Sequence, residues 1–419
     1  MNLLVLGAGY DQLPMIRKGQ ELGHRVHVCD RDAGAPGMSL ADVPLRVDTA
    51  DPDAVTSAAR EHDIAGICTM ATNLAPRTVA IACEQLGLPS ITRQAAFAST
   101  DKAVLRSQCI KAGIPIAQGR AARDPEEAVA ISSTIGYPVL LKPSDSSGCR
   151  GIQVVCDSSQ VRSAFCTAQA ESVSKMVVVE QYYEKALVFG VESLISQGET
   201  HVIIISDKII RNHPVISTAG ITVPTVLSQK LQERVEQLVI QIHHALGLTT
   251  GASHIDFLWD GEEPIIIDIG PRLVGGSLSF ELAPKLTGID MPRFVIEQCL
   301  GSAEMPSKKP VANAGIERFF YTPCSGILED YQLPAPGRDM LLQWRKPIRA
   351  LLTSEGANVE RLGFVTAIRP TIQEAEAAVQ EKAGNIFLTI RLRTGLVVRK
   401  HPVLYQRNQP WEYSSQLAR

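Results

Sequence analysis

The stretch His254-Ile255-Asp256-Phe257-Leu258-Trp259-Asp260-Gly261-Glu262-Glu263-Pro264-Ile265-Ile266-Ile267-Asp268 decides how this chain is read. Two apolar runs flank a turn containing Asp260-Gly261, which predicts an antiparallel hairpin. With the turn centred on Glu262, Asp256 falls opposite Asp268, and the period of two puts both side chains on one face. Two carboxylates opposed across strands repel each other unless a cation lies between them. Magnesium takes oxygen ligands, commonly one or two carboxylates plus phosphate oxygens, and would fill that gap. A pair of hairpin aspartates pointing to solvent is the plain alternative, and spacing alone does not choose between the two.

Upstream lies Gly136-Tyr137-Pro138-Val139-Leu140-Leu141-Lys142-Pro143-Ser144-Asp145-Ser146-Ser147-Gly148-Cys149-Arg150-Gly151. A lysine ending an apolar strand and leading into a Ser/Gly loop sets an ammonium and several backbone N–H groups where a polyphosphate can lie. Lys142 precedes the loop, so this is not a Walker A motif. Cys149 reads as a small loop residue, since no thiol nucleophile is needed for such chemistry. Downstream, Asp268-Ile269-Gly270-Pro271-Arg272 runs into Gly275-Gly276-Ser277. An arginine so close behind a metal carboxylate can reach a phosphoryl group or a substrate carboxylate with its planar fork of donors. A surface arginine after a strand is the bland reading.

The first ninety or so residues alternate apolar runs (Leu3–Leu6, Val26–Cys29, Ile64–Met70) with helical stretches (Gln12–Leu22, Asp53–Glu61, Pro76–Leu86), the pattern of a parallel Rossmann-like sheet. Its first turn, Gly7-Ala8-Gly9-Tyr10-Asp11-Gln12, has two glycines of a dinucleotide fingerprint, and Asp30 ends the second strand. Gln12 stands where the third glycine belongs, which favours a structural or substrate-facing turn over nicotinamide binding. Thr100-Asp101-Lys102 opens a helix reaching Ala112. Strands are expected near Val139–Lys142, Ile152–Val155, Met176–Glu180, Val191–Ser196 and Val202–Ser206, with an amphipathic helix over Leu231–Leu246. His243 and His244 on that helix read as core or surface residues rather than ligands. Gly301–Pro310 reads as a linker, followed by a third α+β piece with a helix over Ile372–Ala383 and a strand near Ile386–Arg391.

With 419 residues and 45% hydrophobic content the chain is neither fibrous nor disordered, and it holds no apolar run near the roughly 20 residues of a membrane span. Its 41 basic and 44 acidic residues give a net charge of −3, so no global field draws nucleic acid or an anionic membrane. The basic residues Arg391, Arg393, Arg399, Lys400, Arg407 and Arg419 read as a solvated face. Nine cysteines without a CxxC pair suit reduced thiols and a cytoplasmic setting, and Met1–Gly7 reads as a first strand rather than a secretory leader.

Taken in order, Asp101-Lys102, Tyr137–Pro143, the Ser/Gly loop, Val178-Val179-Glu180-Gln181-Tyr182, His254-Ile255-Asp256 and Asp268–Arg272 resemble the ATP-grasp superfamily, and within it the carboxylate–amine ligases. Those include L-amino acid ligases and relatives of carbamoyl-phosphate synthase and biotin carboxylase. The likeness extends over the whole chain and includes Arg361-Leu362-Gly363-Phe364-Val365. It implies an α/β and α+β architecture: a Rossmann-like preATP-grasp domain (1–95), an ATP-grasp domain of two α+β subdomains (96–303, its mobile part about 115–185) and a small C-terminal α+β domain (304–419).

The resemblance also implies ATP with magnesium, or manganese in its place. Lys102 and Lys142 would contact the phosphates, and Ser146, Ser147 and Gly148 would close over them. Glu180 with the backbone of Gln181 and Tyr182 would form the hinge at the adenine edge. Asp256 and Asp268 would hold the metal, and Arg272 would stabilise the transferred phosphoryl group or the tetrahedral intermediate. Gly275, Gly276 and Ser277, with Ile216–Pro224, would line the acid pocket. The implied partners are small carboxylates and amines, with neither nucleic acid nor membrane, and similar proteins are commonly homodimers. The implied reaction is amide or peptide formation through an acyl phosphate. An ATP-grasp kinase and a non-catalytic nucleotide-binding module remain as alternatives. Two positions depart from the family: Gly270 stands where Asn is usual after the second metal carboxylate, and Leu187 stands near the usual ribose-binding acid, with Glu184 and Glu192 close by.

Overall fold

The computed structural model describes residues 1–211, 216–307, 313–354 and 360–405. Linker residues Lys308, Lys309 and Pro310 and tail residues Arg407 and Arg419 lie outside them.

The N-terminal strands form a four-stranded parallel sheet in the order Val43–Leu45, Arg25–Cys29, Asn2–Leu6, Gly66–Thr69. Leu3, Leu4, Val5 and Leu6 have no exposed surface, as a parallel strand covered on both faces requires. The helices Leu13–Glu21 and Pro52–Glu61 are crossovers, and Ala75–Leu86 follows the last strand. At the first turn, Ala8 N–H donates to Asp30 Oδ2 at 2.9 Å and the Gln12 amide donates to Met70 O at 2.7 Å. A Cβ on Gly7 or Gly9 would meet the Gln12 side chain at 3.1 or 3.0 Å. Gln12 and Asp30 thus pin the turn against its own sheet, the structural use of these residues.

A small antiparallel sheet follows, ordered Gly119–Ala122, Val177–Gln181, Val139–Pro143, Gln153–Val155. The helices Pro125–Ile135 and Val161–Ala170 cover it. Beside it stands an eight-stranded antiparallel sheet. Its order is Ile265–Gly270, Gly251–Trp259, Leu187–Ser196, Glu199–Arg211, Ser217–Val223, Ala314–Phe320, Gly363–Arg369, Met340–Trp344. The grasp strands and the C-terminal strands therefore share one sheet, joined where Ser217–Val223 pairs with Ala314–Phe320. The rest of the C-terminal region forms a further four-stranded sheet and the helix Ile372–Ala383, whose Thr371 and Glu374 make a reciprocal capping box.

The helix Gln229–Leu246 buries Val235, Leu238, Val239, Ile242 and Leu246 against Phe189, Phe257 and Ile266 of the large sheet. His243 on that face is a satisfied core residue: its Nδ1 pairs with Thr200 Oγ1 at 2.8 Å and its Nε2 with Ser253 Oγ at 2.7 Å. His244 is exposed.

Candidate active site

The hairpin register is the one the alternation predicts, with Asp256 directly opposite Asp268. The irregularity needed to fit the turn falls one residue later, between Asp256 and Phe257. Asp256 Oδ1 is held by Lys208 Nζ and, at 2.9 Å, by His254 Nε2. Burial raises its pKa, but Lys208 and His254 outweigh this and hold the carboxyl well below the usual range. His254 in turn pairs through Nδ1 with the fully buried Glu192. Burial works against the imidazolium, yet Glu192 and Asp256 raise its pKa. The chain Glu192–His254–Asp256–Lys208 was not foreseen, because its members come from three strands and meet only through sheet pairing.

Lys102 opens the helix Lys102–Lys111, whose Asp101 side chain caps Ala103 N–H and Val104 N–H. Capping fixes the first helical residue, and the Lys102 ammonium then lies 3.4 Å from Asp268 Oδ1 while donating to Ser146 O at 2.9 Å. Lys142 ends its strand with Nζ 2.6 Å from Glu180 Oε1 and donates to Ile267 O, on the hairpin of Asp256 and Asp268, at 3.2 Å. Burial lowers its pKa, with Glu180 opposing that shift. Arg106, unmarked in the sequence, grips the other Glu180 oxygen at 2.6 Å.

The loop after Lys142 is anchored by Asp145, whose carboxylate accepts from Ser172 Oγ and from the N–H groups of Val173 and Ser174 at 2.8–2.9 Å. Gly148 (φ +70°) makes the turn that lets Arg150 Nε bond back to Ser147 O at 3.1 Å. Ser146 is buried, and its Oγ has no hydrogen-bond partner among the described residues.

At the hinge, Gln181 N–H donates to Gln118 O at 2.8 Å and Tyr182 N–H to Pro138 O at 3.3 Å. Both amides are satisfied inside the fold, and Glu180 is taken by two cations. Of the acids considered for ribose, Glu192 is committed to His254 and Glu184 is exposed beyond the hinge.

Arg272 donates to Asn73 Oδ1 at 2.7 Å, while its buried Nε and Nη1 have no hydrogen-bond partner among the described residues. A Cβ built on Gly270 would lie 2.7 Å from the guanidinium carbon of Arg272. The Arg272 guanidinium thus folds back into the space a side chain at residue 270 would occupy. Beyond it, Gly276 N–H donates to Asp11 Oδ1 at 2.9 Å and Ser277 N–H to Glu317 Oε1 at 2.7 Å. Arg345 pairs with Asp11 at 2.6 Å, so the N-terminal glycine turn and the C-terminal strands meet at the segment Gly275–Ser277.

Two opposed carboxylates suit one magnesium ion whose remaining positions phosphate and water fill. Both protein contacts of Asp256 fall on Oδ1. Gly270 brings no side-chain oxygen to this pair, and its carbonyl accepts the Arg272 N–H at 2.8 Å.

Comparison with known proteins agrees with this geometry. The family profile described as the carbamoyl-phosphate synthase L chain, ATP binding domain, matches residues 101–303. A formate-dependent phosphoribosylglycinamide formyltransferase from a Synechococcus species is 30% identical over 185 residues, 43% of this chain and 47% of that one. The crystal structure of an L-amino acid ligase from Bacillus licheniformis superposes with a TM-score of 0.78 at 19% identity, covering 93% of this chain and 99% of that one. The biotin carboxylase domain of the Hydrogenobacter thermophilus 2-oxoglutarate carboxylase, crystallised as a dimer with MgADP, ADP and bicarbonate, gives 0.76 at 19% identity over 95% of this chain and 91% of that one. The chain has the ATP-grasp fold, and its residues 101–303 match the carbamoyl-phosphate synthase ATP binding domain.

Proposed function

We propose that the protein is an ATP- and magnesium-dependent carboxylate–amine ligase. A substrate carboxylate attacks the γ-phosphoryl group to give an acyl phosphate and ADP, and an amine then displaces phosphate to leave an amide. The observation that carries this reading is the convergence of Asp256, Asp268, Lys102 and Lys142, with the Arg272 guanidinium in electrostatic range of both aspartates. Phosphoryl transfer asks little covalent help from a protein, mainly positioning and charge neutralisation. Magnesium held by Asp256 and Asp268 would supply part of that neutralisation. Lys102 and Lys142 would exchange their bonds to the Ser146 and Ile267 carbonyls for phosphate oxygens. The unpartnered Nε and Nη1 of Arg272 would take charge that develops on the reacting acid. The MgADP-bound and ligase relatives support the same reading.

The test is an ADP-release screen over carboxylates and amines, followed by mass measurement of condensed products. ADP together with an amide supports the ligase. ADP with a stable phosphorylated product would make the protein a kinase. ATP binding without ADP release from any acid would leave a nucleotide-binding module.

A further inference from the structure

Glu317 lies in the middle of the strand Ala314–Phe320 and is wholly buried. Its Oε1 accepts the Ser277 N–H, while Oε2 has no hydrogen-bond partner among the described residues. A Cβ on Gly276 would stand 2.9 Å from each carboxylate oxygen, and Gly276 has φ +82°. Only glycine there combines that backbone with room for the carboxylate. A strand some forty residues downstream in sequence thus delivers a carboxylate to the segment just past Arg272. The charges acting on it come from Arg361 and Arg345 on the C-terminal side, with Asp11 tied to the same segment through Gly276 and Arg345. Arg318, next along the strand, is spent on Glu376. Burial lifts the Glu317 carboxyl to about 7, against the Ser277 N–H, Arg361 and Arg345.

An unpaired buried carboxylate costs stability and calls for a partner, and this one touches the segment that directly follows Arg272. An amine attacking an acyl phosphate arrives as an ammonium and must lose a proton first. Resting on the ligase reading above, we propose that Glu317 Oε2 receives the ammonium of the amine substrate and removes its proton, making Glu317 the general base of the second half-reaction. One proton passes to Glu317 as the nitrogen lone pair becomes free. The C–N bond then forms, the bond from acyl carbon to phosphate oxygen breaks, and the departing phosphate keeps the electron pair and takes the second nitrogen proton. Acyl phosphate, ammonium and carboxylate become amide, hydrogen phosphate and carboxylic acid, with charge conserved. Later turnovers release the proton to solvent.

The test compares the native chain with Glu317→Gln, whose amide oxygen keeps the Ser277 bond. Each is given ATP, magnesium and a pool of proteinogenic L-amino acids with short mono- and dicarboxylic acids. One arm contains hydroxylamine, which is unprotonated at neutral pH and needs no base. In the variant, condensed amide should fall about 100-fold or more while hydroxamate falls only about three-fold, the split expected when a general base is removed. At saturating amine the native amide rate should rise through a midpoint near pH 7, and hydroxamate formation should lack that limb. A variant that keeps amide formation, a variant that loses both products together, or a native amide rate without the limb would each overturn the assignment. Absence of hydroxamate and ADP from the native chain would instead overturn the ligase reading, and the base assignment with it.

Discussion

Single residues in this protein serve the fold and the site at once, and Lys142 is the clearest case. Its ammonium bridges Glu180 on the small sheet and Ile267 on the hairpin of Asp256 and Asp268. Truncation to Ala would leave Glu180 with Arg106 alone, so Lys142→Met, which keeps the stem, is the cleaner substitution. ADP release by that variant should fall about 100-fold or more, as when a charge-stabilising donor is removed. A coupled ADP assay on protein with native circular dichroism checks it. His243 makes the complementary case for the fold. Burial depresses its pKa to about 3. The folded chain keeps it neutral, while the unfolded chain takes up a proton below about 6.5. Its stabilising contribution is present above that pH and is lost as pH falls toward the folded value, at about 1.4 kcal/mol per pH unit. Urea midpoints for native protein and His243→Gln should therefore converge between pH 7 and pH 5; parallel curves would refute this.

At the scale of elements, the hairpin Gly251–Trp259 with Ile265–Gly270 holds both opposed aspartates and the glycine under Arg272. Gly270→Ala should leave the register intact and push the guanidinium aside. A displacement of about 1 Å can cost on the order of 100-fold in rate. ADP release should drop by that amount with the melting temperature little changed, and native turnover by the variant would show that the arginine position is irrelevant. This element was legible in the sequence because alternation and the Asp260-Gly261 turn fix which residues oppose each other. The helices at Lys102, Gln229 and Ile372 were legible from caps and apolar periodicity. Lys208, Arg106, Asn73, Asp11, Arg345 and Glu317 were not. Apart from Arg106, one turn beyond Lys102 on the same helix, they come from separate elements and loops and meet the site only through tertiary packing, which no local pattern encodes. Gly270 left a trace, as a glycine where the resemblance expects Asn, whereas Glu317, which needs the room at Gly276, lies far along the chain.

Across the whole molecule, the glycine turn at Gly7–Gln12, the grasp hairpin and the C-terminal strands meet around Gly275–Ser277, through Asp11, Glu317 and Arg345. The eight-stranded sheet carries the hairpin and the C-terminal strands, and the glycine turn reaches them from the parallel sheet. The continuity of the eight-stranded sheet from the hairpin to the strand Met340–Trp344 means that the last third of the chain is not a detachable appendage. Ending the polypeptide at residue 303 would strip Ser217–Val223 of its neighbour and lay bare a long row of unsatisfied amides and carbonyls, a template for self-adhesion. Such a fragment, although it spans the whole nucleotide-binding segment, should emerge from size-exclusion chromatography as aggregate rather than monomer. Evolution could trim this protein at its tips but not at that seam.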